Sequence, residues 1–205
     1  ITNLGNAGEV AINADTMLLD NSYIMAQTES GEGGNITLDL KDFLLLRNSS
    51  RISSQAGTEG GGGNGGNINI NIPEGFIIAT PKGNSDITAN AFKGKGGRVG
   101  INAAGIFGIT PLSRAKLEEL RPDDLEPSKL PTSDITATGA TSDLSGTVEI
   151  ITPQTDPTSG SIEFPTIPVE TEVADACSTP GYAQSSFTIT GKGSLPPVSG
   201  SKGLG

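Results

Sequence analysis

The chain has no histidine and no tryptophan, and it has one cysteine. Without imidazole it lacks the commonest general base, any Ser-His-Asp arrangement and the usual nitrogen ligand for metals. A lone thiol, Cys177, rules out an internal disulfide and a thiolate zinc site. Aromatic residues make up only 4% of the 205 residues, too few for a large aromatic-lined ligand groove. No run of about 18 apolar residues occurs, so no transmembrane helix is expected. Positive charge is also scarce: 13 Lys and Arg stand against 23 Asp and Glu, for a net charge of −10. Nucleic acid and anionic lipid both need a cationic counter-surface, so neither is expected as a partner. No stretch of the given sequence is expected to act as a signal peptide. The first residue is Ile1, and residues 1–4 read as the tail of a preceding unit, so the expectation is a C-terminal piece of a longer protein with any export signal upstream.

What is plentiful is glycine, at 29 residues, roughly twice the average share of about 7%. Its placement is regular. Residues 63–72 read GNGGNININI, a Gly-rich corner followed by strict alternation of Ile with Asn. Period-two alternation marks a strand with one buried face. The phrase recurs at anchors Gly8, Gly34, Gly66, Gly97 and Gly146, in steps of 26, 32, 31 and 49 residues. Each anchor precedes an alternating apolar pair: Val10 and Ile12, Ile36 and Leu38, Ile68 and Ile70, Val99 and Ile101, Val148 and Ile150. A second strand is expected around Met17–Leu19, Phe43–Leu46, Phe76–Ile78 and Ile106–Ile109. A third follows a Ser-x-Ile phrase at Ser22, Ser50, Ser85 and Ser133.

Three short strands per unit, repeated at these intervals, predict an all-β fold, a right-handed single-stranded parallel β-helix. One coil cannot bury its own apolar face, so stacking is expected to set Ile68 over Ile36 and Ile36 over Val10. Glycines are expected at corners with positive φ or where the next coil approaches closely. The 49-residue step is expected to hold a helical corner insert over about 110–131, with Thr110 or Ser113 as N-cap and Pro122 as the stop. The coils are expected to span 1–164, a linker and C-terminal cap 165–198, and a disordered tail 199–205.

Few residues suggest chemistry. Asp86 and Asp134 occupy equivalent places on the third strand and are expected to lie close after stacking. They read as an acid pair or a calcium site, but the favoured reading is two solvated carboxylates, since the alternation that buries Ile87 and Ile135 points their neighbours out, and Tyr23 and Arg51 in the same place of earlier coils leave no acidic row. The Gly-rich run 60–66 lacks the Lys-Ser/Thr ending and the helix of a phosphate loop. Calcium-binding nonapeptide repeats fail on period. Asn35 and Asn67, and Ser22, Ser50, Ser85 and Ser133, suit structural ladders. An ice-binding face lacks its Thr-x-Thr row. Cys177 reads as a small buried residue, with a reactive thiol, a lipid attachment or an intermolecular disulfide as alternatives. No catalytic, cofactor-binding or metal-ligating residue is assigned.

The GxGGNIxI corners, the SDITA phrases at 85–89 and 133–137, GIFGI at 105–109 and SGTVEI at 145–150 resemble cyanobacterial proteins of the filamentous-haemagglutinin type. So do LEELRPDDLEPSKLPTSDITA at 117–137 and the tail phrases over 176–197. The resemblance implies a secreted or surface-displayed β-helical adhesin without a cofactor, exported by two-partner secretion through an outer-membrane transporter that an upstream domain engages. Surface glycans or neighbouring cell surfaces are the implied partners, and membrane insertion is not expected. The rival readings are a pectin-lyase-like polysaccharide-cleaving enzyme and a calcium-stabilised solenoid.

Overall fold

The computed structural model describes residues 5–57, 60–122 and 125–153, all within the unit Ile1–Ser159. The expected strand over 160–164, the cap, the tail and Cys177 lie outside the described residues. The fold is all-β, with few helices. Each pass of the chain gives one long strand to a first sheet and one three-residue strand to a second. The long strands are β1 (Val10–Asp20), β3 (Ile36–Arg47), β5 (Asn67–Ala79) and β7 (Arg98–Phe107), joined at the end by β10 (Thr147–Ile151). The short ones are β2 (Tyr23–Met25), β4 (Arg51–Ser53), β6 (Asp86–Thr88) and β9 (Asp134–Thr136), with β8 (Thr110–Pro111) beside β9. All pairings are parallel, in the orders β1-β3-β5-β7-β10 and β2-β4-β6-β9-β8.

The registers follow the alternation. Val10 pairs with Ile36, Ile36 with Ile68, Ile68 with Val99 and Val99 with Val148. Ile12, Leu38, Ile70, Ile101 and Ile150 form a second file. In the second sheet Ile24, Ile52, Ile87 and Ile135 form a third. Ile36, Ile52, Ile68 and Ile87 are fully buried, whereas Val10, Ile12 and Ile24 at one end are only partly so. Each fully buried aliphatic side chain contributes about 1.5–3 kcal/mol, and it does so only with a neighbour on each side.

Two of the expected strands prove to be one. The segments around Val10 and Met17 run together, and a register shift between Ala14 and Thr16 separates their two phases. The same shift falls between Asp39 and Phe43, and between Ile72 and Phe76. Such an irregularity bends a strand and resets which residues point inward without ending the ladder. Pro73, which cannot donate to a ladder, sits in the shifted stretch. The chain therefore makes two strands per repeat, not three.

The corners meet expectation in part. Between the long and short strands an asparagine takes positive φ at each of three corners, Asn21 at 46°, Asn48 at 55° and Asn84 at 47°, joined at the second by Ser49 at 62°. Asn, like Asp, visits the left-handed region more readily than most residues with a side chain. The serine that follows each corner then joins successive repeats. Ser22 N donates to Ser50 Oγ at 3.2 Å, Ser50 N to Ser85 Oγ at 3.2 Å and Ser85 N to Ser133 Oγ at 3.0 Å. The anchor glycines meet the other expectation, close approach of the next repeat. A Cβ on Gly66 would overlap the carbonyl oxygen of Gly34, so two repeats could not stack at that spacing.

The long fourth step holds more than a helix. After Gly108, Thr110–Pro111 pairs with β9, and Leu112 N donates to Ile135 O at 2.9 Å. A single helix, α1 (Arg114–Leu120), follows, with Ser113 Oγ accepting from Lys116 N at 3.3 Å. Leu117 is buried. A 3-10 turn over Pro127–Lys129 leads back to β9. The chain thus fills the last place in the second sheet before the place next to it, and β8 covers the edge that β9 would otherwise expose.

Ile68→Ala should lower the free energy of urea unfolding by about 2–5 kcal/mol, because the files on either side cannot close around the lost volume. Leu18→Ala, on the outer face at 52% exposure, should cost less than about 1 kcal/mol. Equal losses in the two variants would contradict the inward files.

Candidate functional site

The outer face of the second sheet carries the acid pair. Arg51 and Asp86 are register partners, and Asp134 lies on the next strand. Asp86 Oδ1 accepts from Asp134 N at 3.1 Å, so stacking does bring the two acids together. The expectation that they are solvated is overturned: Asp86 is 0% and Asp134 2% exposed. The cause is the insert, whose returning segment lies over this face. Asn84 Nδ2 donates to Ser128 O at 2.9 Å, Gln55 Nε2 to Glu126 Oε2 at 3.3 Å, and Thr132 Oγ1 to Asp134 Oδ2 at 2.7 Å.

Burial changes what the acids are. It pushes the carboxyl of Asp86 up to about 7, with the negative charges of Asp134 and Glu126 acting in the same direction. The Asp134 N–H and the charge of Arg51 oppose the rise. Burial also raises Asp134, against the hydroxyl of Thr132. Asp86 Oδ2 is buried with no hydrogen-bond partner among the described residues. A carboxyl that is half-protonated near neutrality suits proton transfer, but this one faces protein, not solvent.

Beside the pair, Ser53, Thr88 and Thr136 form a buried row on the same face. Thr88 Oγ1 donates to Ser53 Oγ at 2.8 Å, and Gln27 Nε2 donates to Ser53 Oγ at 2.7 Å and to Gln55 Oε1 at 2.8 Å. Next to this network, a cleft of about 750 Å³ opens between the sheet and the insert, with Arg51, Gln55, Asn90, Phe92 and Glu126 among its walls. Asp86 and Asp134 do not line it. Among the described residues, no group of three or more Cys, Asp or Glu side chains is placed to hold a metal ion.

The outer face of the first sheet is different. Leu18, Leu45, Ile78 and Phe107 are in one register row, and Thr16, Phe43, Phe76 and Gly105 are in the next. Phe107 is 55% exposed, and its ring centroid lies 5.9 Å from that of Phe76. Further along the same face, Asn67 Nδ2 donates to Asn35 Oδ1 at 3.2 Å, the expected amide pair, and Asn102 Nδ2 donates to Asn71 Oδ1 at 2.9 Å, a second one. Alternation in the sequence places these groups outward. It does not reveal the cleft, whose one signal was the surplus length of the fourth step. Comparison of the chain with protein-family models, with characterised proteins and with solved structures finds no match.

The raised Asp86 carboxyl has a definite pH signature. Between about pH 4 and pH 7 the folded chain holds a proton that the unfolded chain has lost, so this group's contribution to stability falls as pH rises through that window. Asp86→Asn keeps the acceptor for Asp134 N and removes the titration. The variant should gain about 1–4 kcal/mol over the parent at pH 8 relative to pH 4.5, read from urea unfolding at the two pH values. A difference between the two chains that does not change with pH would contradict the burial of this acid.

Proposed function

We propose that the chain is part of a right-handed parallel β-helix serving as a non-catalytic structural and adhesive segment of a large secreted or surface-displayed protein of the haemagglutinin type. The ladder supports the architecture: five strands in one parallel order, with matched inward files, are what a coil repeated along one axis produces. Parallel crossovers in one sheet are strongly biased to the right hand. The observation that carries the adhesive reading is the outer face of the first sheet. Exposed apolar side chains in adjoining rows, bounded by polar ladders, mark surfaces that meet another molecule. Surface glycans or a neighbouring cell surface are the partners, and export proceeds through an outer-membrane transporter engaged by an upstream domain.

The adjacency of Asp86 and Asp134 favours one second reading, a polysaccharide-cleaving enzyme. Their enclosure beneath the insert weighs against it. Incubation with uronate-containing and neutral glycans separates the two readings. We expect no new reducing ends and no unsaturated products; turnover that Asp86→Asn abolishes would establish the enzyme.

Adhesion is tested on the outer face. The double variant Phe76→Ser, Phe107→Ser removes exposed rings and should leave the urea midpoint near that of the parent. Retention of cells on a surface coated with the variant should fall at least severalfold. Unchanged retention would remove this face from the adhesive reading.

A further inference from the structure

We infer that the cleft between the second sheet and the insert binds an acidic saccharide, with Arg51 receiving its carboxylate. This deepens the adhesive reading and rests on it. The first ground is Arg51. Arg47, Arg98 and Arg114 each hold a carboxylate, on Asp20, Glu149 and Glu118. Arg51 lines the cleft, and its guanidinium makes no hydrogen bond or ion pair among the described residues, although its charge acts on Asp86. In a chain of net charge −10, its guanidinium has no carboxylate bound directly to it. Its planar fork of donors matches a carboxylate in two parallel hydrogen bonds.

The second ground is the rest of the wall. Gln27 and Asn90 are carboxamides fixed by one end. Gln27 gives its amide protons to Ser53 and Gln55, which leaves its carbonyl oxygen as an acceptor. Asn90 Oδ1 takes the N–H of Thr138 at 2.7 Å, which leaves its NH₂ as a donor. Pre-placed donors and acceptors are what a polyhydroxylated ligand requires. Phe92, 61% exposed, lies against Gly57 and Gly60 with much of its surface open. It offers a flat apolar surface for the C–H face of a sugar ring. A cleft of about 750 Å³ is within the roughly 300–1,000 Å³ range of small-ligand sites.

The charge around Arg51 narrows the ligand further. Glu126 also lines the cleft, and Gln55 Nε2 fixes its carboxylate. A densely charged polyanion would meet this carboxylate at close range. The cleft therefore selects a glycan in which isolated uronates alternate with neutral sugars.

The test is titration calorimetry of the full chain. One probe is a hexasaccharide that alternates glucuronate with neutral hexose; the other is the same oligosaccharide with its carboxyls reduced to alcohols. We expect the reduced probe to bind about tenfold or more weakly. Arg51→Gln should erase that preference, Arg51→Lys should keep part of it, and Phe92→Ala should weaken both probes alike. The urea midpoint of each variant shows whether it still folds. Phe92, being exposed, provides a second handle that does not disturb the sheet. No binding by the parent, equal binding of the two probes, or full binding by a folded Arg51→Gln chain would overturn the inference. Cell retention by Arg51→Gln, measured alongside, keeps the two claims apart. Cell retention by a parent chain that binds neither probe defeats the cleft and leaves the adhesive reading standing. Loss of retention in the Phe76 and Phe107 double variant only, with saccharide binding intact, supports both.

Discussion

The structure depends on each repeat covering the one before it. An isolated pass of this chain would expose a row of aliphatic side chains and two rows of unpaired backbone groups. Stacking removes both liabilities together, because the parallel ladder that satisfies the backbone also aligns Ile36, Ile68 and Val99 in one file. The spacing that achieves this is unforgiving. Gly34, Gly66, Gly97 and Gly146 each sit against the carbonyl of the preceding anchor, where a side chain has no room. The serine at each corner adds a hydrogen bond between repeats on the opposite side. Charge plays little part. The pairs Lys41–Asp15, Arg47–Asp20 and Arg98–Glu149 are largely exposed, and pairs of that kind contribute little to stability.

Local periodicity carried much of this arrangement into the sequence. The inward files, their register and the serine and asparagine ladders can all be read from repeated phrases, since period-two alternation reports one face of a strand. Periodicity failed where a strand changes phase. Around Ala14, Asp39 and Ile72 the alternation resets, and a reset looks like a strand end when only the pattern is visible. The corners were legible in part. Close approach at the anchor glycines was expected, whereas the positive φ of Asn21, Asn48, Ser49 and Asn84 between the two sheets was not.

The candidate site was the least legible part, and the reason is topological. Asp86 and Asp134 alternate with buried isoleucines, so a single layer of sheet would leave them in water. The insert breaks that rule. By placing β8 beyond β9 and then returning across the outer face, it adds a second cover, under which Asp86, Thr88, Asp134 and Thr136 become buried polar groups. Nothing in the local pattern states where an excursion of this length travels. The same excursion closes the edge of β9 and creates the cleft that Arg51 lines. Edge protection and a recessed polar surface thus come from one segment, while the outer face of the first sheet, which no described segment covers, keeps its aromatic rows in solvent.

Amide hydrogen exchange measured residue by residue tests the stacking most directly. Strands β3 and β5 have a partner on both sides, so nearly all their amides should exchange slowly and at similar rates. In β1 and β10, which have one partner each among the described strands, slow and fast amides should alternate along the strand. Strand β9, covered by β8, should resemble β6. Uniformly fast exchange in β5, or protection in β3 no greater than in β1, would contradict the ladder on which the account rests.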